Sequence, residues 1–249
     1  MEDLLNYLLL VGVGLLAGFI NVVAGGGSLL TLPTMIFLGL PTNVANASNR
    51  IAIIVQNIFA IKGFHEEKIS TYPYNLYLSA TALIGALIGA QISVDMDEAL
   101  FKKALSIVMI IIIAYTIFKP KKKGEEGEEN LSTPAKIKGM IIFFFIGIYG
   151  GFIQAGVGLL VMSALSIVNS FSLVKANSAK VIIICLFNIA SLALFLYHGL
   201  VDWKYGLILA IGNATGGYLA SKWQVKSGEK WIKRFLIVAV LGLAIKLWL

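Results

Sequence analysis

Two glycine-rich breaks interrupt apolar runs of this chain, AGGGSLL around Gly25, Gly26, Gly27 and Ser28, and AGVGLL around Gly156 and Gly158. Glycine reaches backbone conformations closed to other residues. A helix that starts straight after such a break carries unpaired, partly positive N–H groups at its first turn, which is a seat for an anion. Ser28 is expected to cap the first of these helices. Asn21 and Gln154 stand at equivalent places just before the breaks. Downstream, ANASNR supplies Asn46, Asn49 and Arg50, and ANSAK supplies Asn177, Ser178 and Lys180, each time amides or hydroxyls with one cation at the opening of an apolar run. Such groups suit an oxyanion. The alternative reading has the Asn and Ser as N-caps, Arg50 and Lys180 snorkelling, and the glycines serving only close helix packing.

Other chemistries are poorly served. All 13 Asp and Glu fall outside the strongly apolar runs, so no acidic cluster is placed to hold a cation among helices and no carboxylate relay for protons is evident. No HExxH pair is present, and GGSL at Gly26 to Leu29 does not provide a serine nucleophile with a helical His partner. His65 and His198 are expected in short loops, and the single cysteine, Cys185, in packing. Asn57 and Asn188 lie deeper in their helices and read better as interhelical glue than as ligands. We therefore expect no catalytic residue, no metal and no cofactor. An intramembrane enzyme and a membrane assembly subunit that transports nothing remain the competing classes.

The elements that must position these residues are membrane helices. The chain has 249 residues, 58% of them hydrophobic and only 13% charged, far too apolar for an ordinary soluble domain. Its net charge of +7 comes from lysines clustered beside apolar segments, the pattern of membrane orientation and not of nucleic-acid binding. Stretches 4–23, 46–61, 74–94, 100–118, 139–153, 180–197, 205–221 and 235–249 approach the length of a span, and two shorter runs, 29–38 and 159–168, follow the breaks as half-helices. The start, Met1-Glu2-Asp3, lacks the basic region of a signal peptide, so the first stretch is expected to be retained.

One charged linker, 119–138, divides the chain into a first membrane repeat, 1–118, and a second, 139–249, which together form one transporter domain. Sliding one half on the other aligns Ala45-Asn46 with Ala176-Asn177, Asn57-Ile58 with Asn188-Ile189, Tyr74 with Tyr205 and Gly85 with Gly216, all at one offset. If the half-helices count as crossings, the halves are inverted and Lys and Arg gather on the linker side; otherwise they divide evenly. The positive-inside rule favours inversion with a cytoplasmic linker. The expected fold is all-α: a polytopic membrane protein of two inverted repeats, each with about four spanning helices and one half-helix. Trp203, Trp223, Trp231 and Trp248 fall at segment ends as interfacial anchors.

The run INVVAGGGSLLTLPTMIFLGLPTNVANASNR and its counterpart KANSAKVIIICLFNIASLALFLYHGLVDWKYGLILAIGNATGGYLASKW resemble the two halves of the TauE/SafE sulfite exporter family, also grouped as TSUP permeases. The second break reads AGVGLL where a fuller GGG is common, and Ala47-Ser48-Asn49-Arg50 stands where a Thr-Asn-Lys type sequence is more usual. The resemblance covers nearly the whole chain. It implies passage of sulfite or related organosulfonate anions across a prokaryotic inner membrane.

Overall fold

The computed structural model describes residues 2–118 and 128–224. They form nine α-helices and, among the described residues, no strand: α1 (Glu2–Ala24), α2 (Ser28–Phe37), α3 (Thr42–Glu66), α4 (Tyr74–Asp95), α5 (Glu98–Phe118), α6 (Thr133–Phe152), α7 (Val157–Val168), α8 (Leu173–Tyr197) and α9 (Trp203–Gln224). The expected last span, 235–249, lies outside the described residues, as do 119–127 of the linker, Trp231 and Trp248. Five helices, α1, α3, α4, α6 and α8, are long and apolar enough to cross a membrane. At 22 residues α9 has the length of a span, but Gly212, Asn213, Gly216 and Gly217 on its buried side make it less apolar. Those residues serve packing.

Both breaks are real interruptions. Helix α1 stops at Ala24 and α2 starts at Ser28; α6 stops at Phe152 and α7 starts at Val157. The chain then doubles back. Gly27 lies against Ala17 and Asn21 of α1, and Val157 lies against Gly150 of α6. With 10 and 12 residues, α2 and α7 are about 15 and 18 Å long, half the thickness of a bilayer core.

Close glycine contacts set the helix directions. A Cβ at Gly212 would strike the Val11 carbonyl and one at Gly216 the Leu15 carbonyl, so α1 and α9 run parallel. Gly147 and Gly151 meet Ala82 and Ala86 in the same way, so α4 and α6 also run parallel. Helix α3 follows α9, with Gly206 against Ser48 and Gly217 against Gln56. Helix α8 follows α4, since Tyr74 meets Phe171 just before α8 and the Ser191 hydroxyl donates to the Ala86 carbonyl. Helices α3 and α8 oppose each other, because Arg50 lies beside Asn188 and Phe195 while Phe64, later in α3, packs with Val181. Thus α1, α3 and α9 run one way and α4, α6 and α8 the other. The packing is also reciprocal, the fourth helix of one half lying on the first helix of the other.

Several local expectations change. Ser28 is the first residue of α2 and makes no cap hydrogen bond; Gly27 holds the cap position. Asn46, Asn49, Asn177 and Ser178 are not caps either, because α3 already starts at Thr42 and α8 at Leu173, where Ser172 accepts from the Lys175 N–H. The Gly39-Leu40-Pro41 turn explains this: Pro41 caps α3 and supplies a helix entry four residues before Asn46. His65 sits in the last turn of α3, not in a loop, and His198 ends α8. The second half-helix begins at Val157, two residues before the expected Leu159.

Candidate functional site

The two breaks meet. A Cβ on Gly25 would lie 2.4 Å from the Gly158 carbonyl carbon, and one on Gly158 would lie 2.6 Å from the Gly25 Cα, so backbone touches backbone at this point. Only glycine permits it. Gly25 also has φ +81° and Gly156 φ +72°, the left-handed region where a side chain is strained. Gln154 occupies the same region at φ +65° without being glycine, a form of local strain that clusters at functional sites. Close packing and binding are therefore not rival readings of these glycines: the packing brings the starts of α2 and α7 together.

Around the start of α2 a polar cluster is assembled from three helices. The Cβ of Asn21, near the end of α1, abuts Gly27, and the Asn21 amide donates to Gln56 Oε1 at 3.2 Å. Asn49 of α3 accepts from the Thr31 hydroxyl, in the first turns of α2, at 2.8 Å. This fixes the Asn49 amide beside the helix start, and its NH₂ has no hydrogen-bond partner although Asn49 is only 1% exposed. A buried donor without a partner costs about 1–3 kcal/mol. Gln56 donates a long bond of 3.5 Å to Asn57, whose own NH₂ is also unpartnered. An acceptor-rich guest would repay both donors.

The second break is furnished differently. Gln154 is 1% exposed, and neither end of its amide has a partner. The Tyr149 hydroxyl donates to the Ala155 carbonyl and braces the turn. Where the first half has Gln56, the repeat register puts Phe187, which packs on Gly150.

The two cations do not snorkel. Arg50 and Lys180 are 0% and 1% exposed. Each lies about two turns inside its helix and reaches across to the other half. Arg50 donates to the carbonyls of Gly150 (3.2 Å) and Gly151 (2.5 Å) and to Asn188 Oδ1 (3.0 Å), and its guanidinium lies 4.9 Å from the Phe195 ring centre. Lys180 donates to the carbonyls of Asn21 (2.8 Å) and Val22 (2.7 Å) and to Asn177 Oδ1 (2.5 Å). The carbonyls of a helix's last turn lack partners of their own and carry partial negative charge. Asn46 and Asn177, equivalent in the repeat, add amide bonds to the Phe152 and Val23 carbonyls of the same two helix ends. Asn188 thus ties α8 to Arg50 of α3, as interhelical glue.

The fourteen residues singled out in sequence do not converge on one point. Asn21, Gly25, Gly26, Gly27, Ser28 and Asn49 gather at the first break, and Gln154, Gly156 and Gly158 at the second, in contact with it. Asn46 with Arg50, and Asn177 with Lys180, form two separate ties. Asn188, held by Arg50, lies eight residues along α8 from Lys180, which separates the ties by roughly 12 Å. Ser178 turns elsewhere and donates to the Ile69 carbonyl beyond α3. Thr31 and Gln56 were missed in sequence; both sit one face-turn from residues already singled out, Gln56 seven residues after Asn49. Among the described residues no group of His, Cys, Asp and Glu is placed to hold a metal.

Residues 10–247 match the family "Sulfite exporter TauE/SafE". A probable membrane transporter protein of Haemophilus influenzae is 28% identical over 226 residues, covering 91% of this chain and 88% of that protein. One of Sinorhizobium, ORF9, is 27% identical across 99% of this chain and 95% of its own length. YfcA of Escherichia coli K12, also a probable membrane transporter protein, is 27% identical across 94% and 87%. No solved structure matches. With its apolar spans, two broken helices and this match along nearly its full length, the chain belongs to the sulfite exporter TauE/SafE family of multi-pass membrane transporters.

Proposed function

We propose that the protein exports a sulfur-containing oxyanion, sulfite or a small organosulfonate, through a site where the starts of α2 and α7 meet. The observation that carries this reading is the contact of Gly25 with Gly158 beside a buried, unpartnered Asn49 amide. Two helix starts and side-chain donors favour negative charge. Ser28, Asn21, Gln154, Gly156 and the Gly26 and Gly27 backbone complete the lining, and Arg50 and Lys180, each flanked by an amide of Asn46 or Asn177, supply positive charge close by.

The halves act as inverted repeats, a reading supported by the opposite directions of α1 and α6, α3 and α8, and α4 and α9. Rocking one repeat on the other then exposes the site alternately to the two sides. The Lys and Arg balance supports a cytoplasmic linker and an inner-membrane location. An inside-negative potential drives anion exit by about 2.3 kcal/mol per charge per 100 mV, and the absence of carboxylates from the apolar runs fits export without an obligatory proton partner.

Flux of radiolabelled sulfite, sulfate, thiosulfate and small sulfonates in proteoliposomes tests the proposal. Saturable flux of a sulfur oxyanion that rises with an imposed potential and ignores a proton gradient is expected. Purified protein that moves none of them would favour the assembly-subunit reading, and flux that needs a proton gradient at zero potential would overturn the energetics.

A further inference from the structure

We propose that Arg50 and Lys180 are the two gates of the transport cycle, one for each side of the membrane, and not direct ligands of the anion. The proposal rests on the transporter reading above and deepens it. Each cation is buried, each belongs to the third helix of one half, and each binds the carboxyl end of the broken first helix of the other half. A rocking motion between halves must stretch these ties. They are the charged links across the half-to-half boundary at the breaks, and each is doubled by an equivalent amide, Asn46 or Asn177.

Their positions give them opposite sides. Helices α4, α6 and α8 start on the linker side, because α5 ends at the linker and α6 leaves it. Lys180, two turns into α8, therefore lies towards the linker side. Helix α3 runs the other way, so Arg50, two turns into it, lies towards the far side. Arg50 reaches the carbonyls before the second break and Lys180 those before the first, and the breaks touch at Gly25 and Gly158 between them. With both ties made, the junction is closed towards both faces. Opening the Arg50 tie frees the far face, and opening the Lys180 tie frees the linker face. The two differ in chemistry as well. Lys180 gathers its oxygens around a point charge, whereas the planar Arg50 fork spans two successive carbonyls and stacks on Phe195, so lysine cannot fully replace Arg50.

Thiol labelling from each side of the membrane tests this without any substrate. The native Cys185 is first replaced by serine. One reporter is Ala47→Cys, which packs on Phe195 beneath Arg50, and the other is Val181→Cys, beside Lys180; both positions are buried. A membrane-impermeant maleimide is applied from either face. Arg50→Ala is expected to raise labelling of the Ala47→Cys reporter from the far face by roughly tenfold and leave Val181→Cys protected, and Lys180→Ala to do the reverse from the linker face. Arg50→Lys is expected to restore only part of the protection. Should either alanine variant fail to fold, Asn46→Ala and Asn177→Ala carry the same test, with the same sidedness and smaller rises. Labelling that rises from one face for both variants, or from neither, overturns the gate assignment. Because no anion is present, that failure would leave the proposed substrate site standing, and an absence of anion flux would leave the gates standing.

Discussion

The two helix breaks do the same geometric job with different chemistry. At the first, the chain needs three glycines, and its surroundings are amides and hydroxyls tied into pairs, Asn21 with Gln56 and Thr31 with Asn49. At the second, Gln154 and Gly156 take left-handed backbone in a turn one residue longer, Phe187 packs on Gly150 just before it, and the lone amide of Gln154 has nothing to bind. The two breaks therefore share the turn-back and the cross-half tie while their polar furnishing differs. The site proposed above would then have unequal walls, many donors on one side and few on the other. On the proposed function, this asymmetry would suit an anion with one charged, oxygen-rich end and one apolar end, the shape of an organosulfonate.

The largest expected effect comes from removing the contact both breaks share. Gly25→Ala adds a Cβ 2.4 Å from Gly158 backbone at φ +81°, a strain of about 1–3 kcal/mol before the clash is counted. We expect transport to fall at least about a hundredfold in proteoliposome flux, the equivalent of two factors of ten at about 1.4 kcal/mol each. Gly12→Ala, where nothing lies within 4 Å, should leave flux and thermal stability near the parental values. Equal tolerance at both positions would remove the junction from the account.

Next in size are the ties. Arg50→Ala and Lys180→Ala each leave helix-end carbonyls unpaired in a buried setting, and each is expected to lower stability in thermal unfolding by about 1–3 kcal/mol. Arg50→Lys should recover less than the full loss, since it forfeits the Phe195 stack and the second carbonyl. If the lysine variant matches the parent, the planar fork is irrelevant and the two ties are chemically alike.

The comparison sharpens at Gln154 and Asn49. Gln154→Leu removes a buried amide that satisfies no partner, so we expect it to stabilise the fold by about 1 kcal/mol while reducing transport. Asn49→Leu instead strands the Thr31 hydroxyl and should destabilise by a similar amount. Matching signs in a denaturation assay would contradict the contrast drawn between the two walls. The smallest effect is expected at the Lys222–Glu66 pair, which joins the ends of α9 and α3 in solvent; Lys222→Ala should leave both thermal stability and flux near the parental values.

How far these features could be read in sequence follows from their physics. Helix interruptions were legible, because Gly25-Gly26-Gly27 in an apolar run has few other uses in lipid. Helix starts were not. Pro41 and Ser172 decide where α3 and α8 begin, and each lies outside the polar motif that drew attention. The roles of Arg50 and Lys180 were hidden for a different reason: their partners are backbone carbonyls about a hundred or more residues away, which carry no side-chain signature. Gln56 and Thr31 were passed over because a single polar residue in an apolar helix reads as neutral until a neighbour is known.

The most direct test of the central claim is the half-saturating concentration for sulfite or a small sulfonate in proteoliposomes, compared between the parent and the Asn21→Ala/Asn49→Ala double variant. The account predicts saturable flux in the parent and a rise of roughly tenfold or more in that concentration for the variant, a loss of about 1.4 kcal/mol of binding or more, with the maximal rate far less affected. Unchanged half-saturation in a properly inserted double variant would show that the anion binds elsewhere than at the meeting point of the two broken helices.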